Sequence, residues 1–195
     1  MNLLLIVLFG MQHSIMARSG FKDWLHRSLP PSAERSTYVL MASLVLALLM
    51  WQWRPIPLVL WQAESTVAVA LGWTILAAGF GLVFLSTFLI DHFDLFGLRQ
   101  VWSQFRGMKT TPPQFRTPFV YRLVRHPLYL GFILAFWGGP LMTAGHLLFA
   151  VAMSGYILIA IKLEERDLVR FHGPLYERYR ERVPMLIPLP GRRME

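Results

Sequence analysis

The sequence predicts an all-α polytopic membrane protein of about five transmembrane helices, N-terminus outside and C-terminus in the cytoplasm, with further cytosolic helices at the C-terminal end. Three observations predict it. Hydrophobic residues make up 55% of the 195 and charged residues only 15%, where a soluble domain carries roughly 25% charged residues. The apolar residues are gathered into five stretches. Every one of the 19 lysines and arginines except Arg54 falls in segments that five alternating spans place on one side, and such asymmetry orients a membrane protein with its basic loops in the cytoplasm.

The stretches run over 1–17, 37–53, 66–90, 128–143 and 145–161. A bilayer core needs roughly 17–25 helical residues, so four are long enough and the fourth, 128–143, is marginal. The first has neither a basic leader nor a small-residue cleavage site, so it is expected to be retained as a helix. The last two are joined at Pro140 to Gly145, a connection suited to a helical hairpin. Trp51, Trp53 and Trp61 flank the expected outer loop, the boundary level that aromatic side chains prefer. Of the larger cytosolic segments, Gln104 to Pro118 is polar and holds Pro112, Pro113 and Pro118, which predicts a loop able to lie over a site. Glu164, Glu165, Arg166 and Asp167 continue the fifth span into water, His172-Gly173-Pro174 breaks it, and a second helix is expected from Pro174 to Arg182. Gly79-Phe80-Gly81 lies inside the third span and predicts close helix packing rather than nucleotide binding.

The net charge of +8 does not point to nucleic acid, because the positive residues flank apolar segments. The absence of cysteine excludes disulfides, thiolate metal sites and a cysteine nucleophile. No metal site is expected.

Two motifs carry the chemistry. In Arg125-His126-Pro127-Leu128-Tyr129-Leu130-Gly131, Pro127 suits the first turn of a helix. His126 then lies at a helix N-terminus, and Tyr129, three residues on, faces the same side. The second motif is Glu164-Glu165-x-x-Leu168, followed by Phe171-His172-Gly173-Pro174-x-Tyr176-x-x-Tyr179-x-x-x-Val183-Pro184. Carboxylates and aromatic rings together suit a cationic ligand that carries hydroxyls. Anchoring at the membrane surface is the simpler explanation of the first motif, and a solvated charged face of the second. Other ionisable residues are expected at the cytosolic ends of the spans: His13 on the first, and Asp91, His92 and Asp94 on the third. Ionisable groups at the membrane are costly and more often functional than not.

In this order, and separated by one helical hairpin, the two motifs resemble the isoprenylcysteine carboxyl methyltransferase superfamily. One residue separates Phe171 from Gly173 where that superfamily has a Phe-Gly pair, while the spacing from Gly173 to Tyr176 and Tyr179 is kept. Gln12-His13-Ser14-x-Met16-Ala17-Arg18, Glu34-Arg35-Ser36-Thr37-Tyr38 and Leu85-Ser86-Thr87-Phe88-Leu89-Ile90-Asp91-His92-Phe93-Asp94 through Arg99 are similar to the bacterial methanethiol S-methyltransferases, relatives of the NnrU family. The resemblance implies one integral membrane methyltransferase domain over 1–195. Residues 1–126 would supply acceptor-side helices and cytosolic loops, and 127–195 the helical hairpin and cofactor-binding tail.

It further implies S-adenosyl-L-methionine as cofactor, held by Arg125, His126, Tyr129, Glu164, Glu165, Tyr176 and Tyr179. The implied reaction is methylation of methanethiol, or another small thiol, to dimethyl sulfide or its analogue, at the cytoplasmic face of a bacterial inner membrane. His13, Asp91, His92 and Asp94 would form the acceptor side, with a proton acceptor among them. Aligning the reactants supplies about 7–11 kcal/mol of barrier lowering. Two alternatives differ in kind: a haem-binding NnrU-like protein with histidine ligands such as His13 and His92, and a methyltransferase acting on a lipid or an isoprenylcysteine.

Overall fold

The computed structural model describes residues 1–108 and 115–189. All five apolar stretches fold as helices, with differing lengths. Helix α1 (Asn2–Met16) is followed by α2 (Ser19–Leu25), which turns off it by 74°. Next come a 3-10 turn at Pro31–Ala33 and α3 (Glu34–Gln52). Strand β1 (Val59–Gln62) leads into α4 (Thr66–Ile90), the short α5 (His92–Leu95) and α6 (Leu98–Phe105). A 3-10 turn at Phe119–Arg122 precedes α7 (Pro127–Trp137), strand β2 (Leu141–Thr143), α8 (Ala144–His172) and α9 (Pro174–Arg182). Helix α9 has the bounds the sequence predicts.

Three helices are long and apolar enough to cross a bilayer, those ending at Gln52, Ile90 and His172, and a fourth if the bent α1–α2 pair is one span. Their outward surfaces are apolar: Val67, Leu71, Phe80 and Phe84 of α4 are all more than half exposed. In water such a surface would be an association site; in a bilayer it is the lipid-facing side. The protein is an integral membrane protein.

Helix α7 is shorter than the 128–143 stretch suggests. Its 11 residues span about 16 Å, roughly half a hydrocarbon core. Gly138-Gly139-Pro140 ends it, with Gly139 at φ 109°, and the rest of the stretch becomes β2. That strand pairs antiparallel with β1, Val59 opposite Thr143 and Gln62 opposite Leu141. The hairpin turn is therefore stitched to the start of α4, a pairing that alternation of helix and loop did not suggest.

By internal contacts the chain forms two units: Met1–Pro55 with Asp91–Gln114, and Ile56–Ile90 with Phe115–Glu195. In the first, Asn2 Nδ2 donates to the Arg54 carbonyl at 2.8 Å and its Oδ1 accepts from Arg54 N–H at 3.0 Å, tying the ends of α1 and α3. At the opposite end of α3, Glu34 accepts from Lys22 (2.9 Å) and His26 (2.8 Å), and Arg35 Nε donates to the Leu95 carbonyl at 2.9 Å.

In the second unit α4 and α7 run antiparallel at a backbone-to-backbone approach. A Cβ on Gly79 would lie 2.8 Å from Gly131 O, and one on Gly131 would lie 2.8 Å from Val83 N. Only glycine allows that separation. Gly81 has open space around it, so of the Gly-Phe-Gly pair only Gly79 serves packing. The contacts 79 with 131 and 135, and 83 with 131, set a register. One turn beyond Val83, Ser86 comes level with the first residues of α7.

Candidate active site

The second unit gathers the chemistry of both motifs around the start of α7. His126 occupies the N-cap position of α7 and Pro127 its first turn, as expected from the missing proline N–H. The His126 backbone N–H is bonded to the Met185 carbonyl (3.2 Å) and Arg125 N–H to the Pro184 carbonyl (2.9 Å). The segment after α9 thus folds back along this entry to α7. Helix α8 supplies the carboxylates. From Ala144 to Glu165 it rises about 31 Å, close to the thickness of a hydrocarbon core, so Glu164 and Glu165 emerge at the boundary.

Glu165 is the hub. It accepts from Arg125 Nε at 2.8 Å and meets His126 Nε2 at 3.1 Å. Both partners of the Arg125–Glu165 pair are nearly buried, with side chains 10% and 12% exposed. Glu164 differs: its side chain is 44% exposed, and its contact is a long 3.9 Å approach to His126 Nδ1. Tyr129 faces His126 with ring centroids 5.6 Å apart, the three-residue spacing expected on one helix face.

Arg125 also donates through Nη1 to the carbonyls of Arg180 (2.8 Å) and Val183. Its guanidinium therefore fastens α8, α9 and the following segment together. Gly173, at φ 56°, separates α8 from α9 and lets the chain reverse so that α9 presents Tyr176 and Tyr179 inward. These two and Val183 form a buried cluster with Phe115, Leu168 and Val169. Tyr179 donates its hydroxyl hydrogen to the Tyr121 carbonyl. Phe115 meets Tyr179 edge-on at 5.4 Å and also packs on His172 and Tyr176. This is the described end of the proline-rich segment expected to cover the site; its residues 109–114, like 190–195 of the tail, lie outside the described residues.

Three hydroxyls of this unit are buried without a hydrogen-bond partner: those of Ser86, Tyr121 and Tyr176. Their residues are 0%, 9% and 2% exposed. The Ser86 and Tyr121 hydroxyls neighbour each other and have no partner outside that pair. Buried polar groups are nearly always satisfied, so these three hydroxyls single out this part of the unit. Ser86 and Tyr121 carry no motif signal in the sequence. Ser86 was visible only as a hydroxyl within the Leu85–Arg99 segment, and Tyr121 lay outside both motifs.

Burial pushes the Tyr121, Tyr176 and Tyr179 phenols well above the usual range, and carboxylates add to the effect, Glu164 at Tyr121 and Glu165 ahead of Glu164 at Tyr176. Such hydroxyls stay protonated and act as hydrogen-bond donors throughout the physiological range. A folded-state pKa raised above the unfolded value stabilises the fold fully below the unfolded pKa and is lost as pH rises through the folded one. The protein is therefore expected to keep its thermal midpoint from neutrality to about pH 10, the ordinary tyrosine value, and to lose stability steadily above it. Tyr179→Phe should blunt that alkaline loss. A midpoint unchanged well above pH 10 would show that these phenols are not buried in the native protein.

The first unit places the other predicted residues in two groups. His13 Nε2 lies 2.6 Å from the Tyr38 hydroxyl, and the His13 ring stacks on Phe9. Asp91 and Asp94 both face Arg99, and Asp91 also caps α5 by accepting from Asp94 N–H at 3.2 Å. Asp91 does so at φ 130°, a strained backbone for a residue with a side chain. His92 packs against Phe96, centroids 4.7 Å apart.

The phospholipid methyltransferase family model matches residues 67–173, more than half of the chain, from α4 through the end of α8. The chain belongs to the phospholipid methyltransferase family. The match takes in Ser86, Tyr121, the Arg125–Tyr129 motif and both glutamates of this family member, while Tyr176 and Tyr179 follow it. Its relatives include methanethiol S-methyltransferase 2 of Bradyrhizobium diazoefficiens, 55% identical over 96% of this chain and 72% of the relative. The methanethiol S-methyltransferase of Mycobacterium tuberculosis is 52% identical over 98% of this chain and 78% of the relative. Nurim of Sus scrofa is 31% identical over 84% of this chain and 65% of its own length. No solved structure matches. As a member of this family the protein is a membrane methyltransferase, which requires a methyl donor and a nucleophilic acceptor.

Proposed function

We propose that this enzyme methylates methanethiol, using S-adenosylmethionine, to give dimethyl sulfide. One observation carries the reading: relatives bearing the name methanethiol S-methyltransferase align along almost the entire chain at more than half identity. Their likeness therefore covers the N-terminal helices as well as the segment common to the family.

The residues at the start of α7 fit such a cofactor. Glu164 has carboxylate oxygens open to ligand hydroxyls, and the Tyr176 hydroxyl is buried without a partner. Carboxylates and aromatic faces both favour a cation. We assign His126, Tyr129, Glu164, Glu165 and Tyr176 to cofactor contact, with Arg125 and Tyr179 holding them in place through the bonds described above. When bound, S-adenosylmethionine supplies a methyl carbon on a sulfonium, so that a thiolate sulfur forms the new S–C bond as the old one breaks and a neutral thioether leaves. The chain's own tasks are to align the acceptor, shield it from bulk water and remove the thiol proton. A small apolar thiol suits a site at the end of membrane helices, where poor solvation keeps a thiolate reactive.

The proton acceptor is assigned among His13, Asp91, His92 and Asp94, and His13 suits it best. The two aspartates are already committed to Arg99 and to the α5 cap. The asymmetry of the basic segments supports a site on the cytoplasmic side of a bacterial inner membrane.

The test is a methyl-transfer assay of the purified protein in lipid nanodiscs with labelled S-adenosylmethionine. The acceptors are methanethiol, longer thiols, phosphatidylethanolamine and an isoprenylcysteine. Label is expected in dimethyl sulfide. Label found only in lipid or prenylcysteine would overturn the acceptor assignment while leaving the family intact.

A further inference from the structure

We propose that the hydroxyls of Ser86 and Tyr121 form the seat of the acceptor's sulfur, a pair of neutral donors that hold the thiol at the start of α7. The inference rests on the reading of the protein as a small-thiol methyltransferase and names the residues that read its substrate.

Both hydroxyls are buried and have no partner outside their own pair, on residues 0% and 9% exposed. Neither orphan arises from slack in the chain. The close packing of Gly79 and Gly131 fixes α4 against α7, and the register brings Ser86 level with the His126–Pro127 entry of α7. Tyr121 is held through its backbone: its N–H is bonded to the Pro118 carbonyl at 2.8 Å, and its carbonyl accepts from the Tyr179 hydroxyl. The protein thus spends a buried tyrosine of α9 on fixing Tyr121 while leaving the Tyr121 hydroxyl itself unanswered. Rigidly held donors without an acceptor outside their pair are the arrangement that recognises a ligand without reorganisation.

The chemistry of the pair selects a thiol. The adjacent ligand groups divide by charge: Glu164, Glu165 and His126 are ionic or ionisable and suit the polar, cationic cofactor. Ser86 and Tyr121 are neutral. Burial keeps the Tyr121 phenol protonated, so it donates whether the acceptor is a thiol or a thiolate. Two neutral O–H donors orient a sulfur lone pair without quenching it as an ion pair with lysine or arginine would. A hydroxyl-reading site also discriminates sharply, because an acceptor that cannot satisfy it leaves buried donors unpaired.

The experiment uses the full-length protein in nanodiscs, with Ser86→Ala, Tyr121→Phe, the double variant and Tyr176→Phe. Steady-state kinetics with methanethiol give KM and kcat, and calorimetry gives the S-adenosylmethionine dissociation constant. Ser86→Ala and Tyr121→Phe are each expected to raise the methanethiol KM by about three- to tenfold, the effect of losing one neutral hydrogen bond. The double variant should raise it further. Cofactor affinity should stay within twofold in all three, while Tyr176→Phe shows the reverse pattern. Unchanged methanethiol KM in the double variant overturns the inference. So does weakened cofactor affinity at unchanged KM, which would move both hydroxyls to the cofactor. A stability loss with neither constant altered would assign them to internal water and overturn it as well. A wild type that transfers nothing to methanethiol overturns the small-thiol reading and this inference together, whereas an active wild type with indifferent variants overturns the inference alone.

Discussion

His13→Ala is expected to lower turnover of methanethiol by about 10²–10⁴-fold, the usual effect of losing a general base, with cofactor affinity nearly unchanged. A thiol must lose its proton to become a strong nucleophile, and a cysteine-like thiol has a pKa of about 8.5. At neutral pH a positioned base therefore matters. Of the four residues assigned to the acceptor side, Asp91 and Asp94 are held by Arg99, so their charge is partly spent. Histidine is also the side chain whose ordinary pKa is nearest neutrality. His13 has the Tyr38 hydroxyl 2.6 Å from Nε2, a partner able to orient its ring.

Raising the pH should partly rescue His13→Ala, because bulk water then supplies thiolate, and the wild type should respond less over the same range. Asp91→Asn is expected to behave differently. It weakens the cap of α5 and the tie to Arg99, so it should lower stability more than it alters the pH profile. Near wild-type turnover of His13→Ala at neutral pH would remove His13 from the reaction. Lost cofactor affinity in that variant would transfer it to the nucleotide site.

Glu165→Ala is expected to destabilise the protein by about 3–5 kcal/mol, the range for breaking a buried ion pair from one side, and to abolish measurable cofactor binding. A change confined to cofactor contact would cost only about 1–3 kcal/mol of affinity. The larger figure follows from the position of Glu165. It neutralises Arg125, whose guanidinium is 10% exposed, and answers His126 Nε2. Without the carboxylate, Arg125 is a buried cation that still bonds the Arg180 and Val183 carbonyls. The positive charge then falls on the segment that carries Tyr176 and Tyr179. Glu164→Ala, at an exposed carboxylate, should spare the fold and weaken only the cofactor. Chemical unfolding followed by tryptophan fluorescence, with calorimetry on the folded fraction, separates the two effects. Equal stability losses for Glu164→Ala and Glu165→Ala would refute the division.

What the sequence determined by itself is what depends on local composition. A run of apolar residues is helical in a bilayer because its backbone must satisfy its own hydrogen bonds there. Each of the five stretches accordingly formed a helix, the fourth only as far as Trp137, and Pro174 and Arg182 bound α9 as proline and charge pattern predicted. The spacing of His126 and Tyr129 foretold that their rings share one face, and the segments of the first three stretches pointed to the methanethiol S-methyltransferases, which align along nearly the whole chain. Tertiary structure decided what depends on pairing between distant segments. Gly138-Gly139-Pro140 ended α7 early, and the following residues found a strand partner at Val59–Gln62. The resemblance implied Arg125 as a cofactor residue, and the fold adds that its donors go to Glu165 and to carbonyls more than fifty residues away. Tyr176 and Tyr179 share one spacing motif, but one hydroxyl bonds the Tyr121 carbonyl and the other is left open. Ser86 and Tyr121 carry no local signal at all. They became candidates only when close glycine packing and the fold of α9 buried two hydroxyls together, and whether a buried hydroxyl has a partner is a property of the assembled fold.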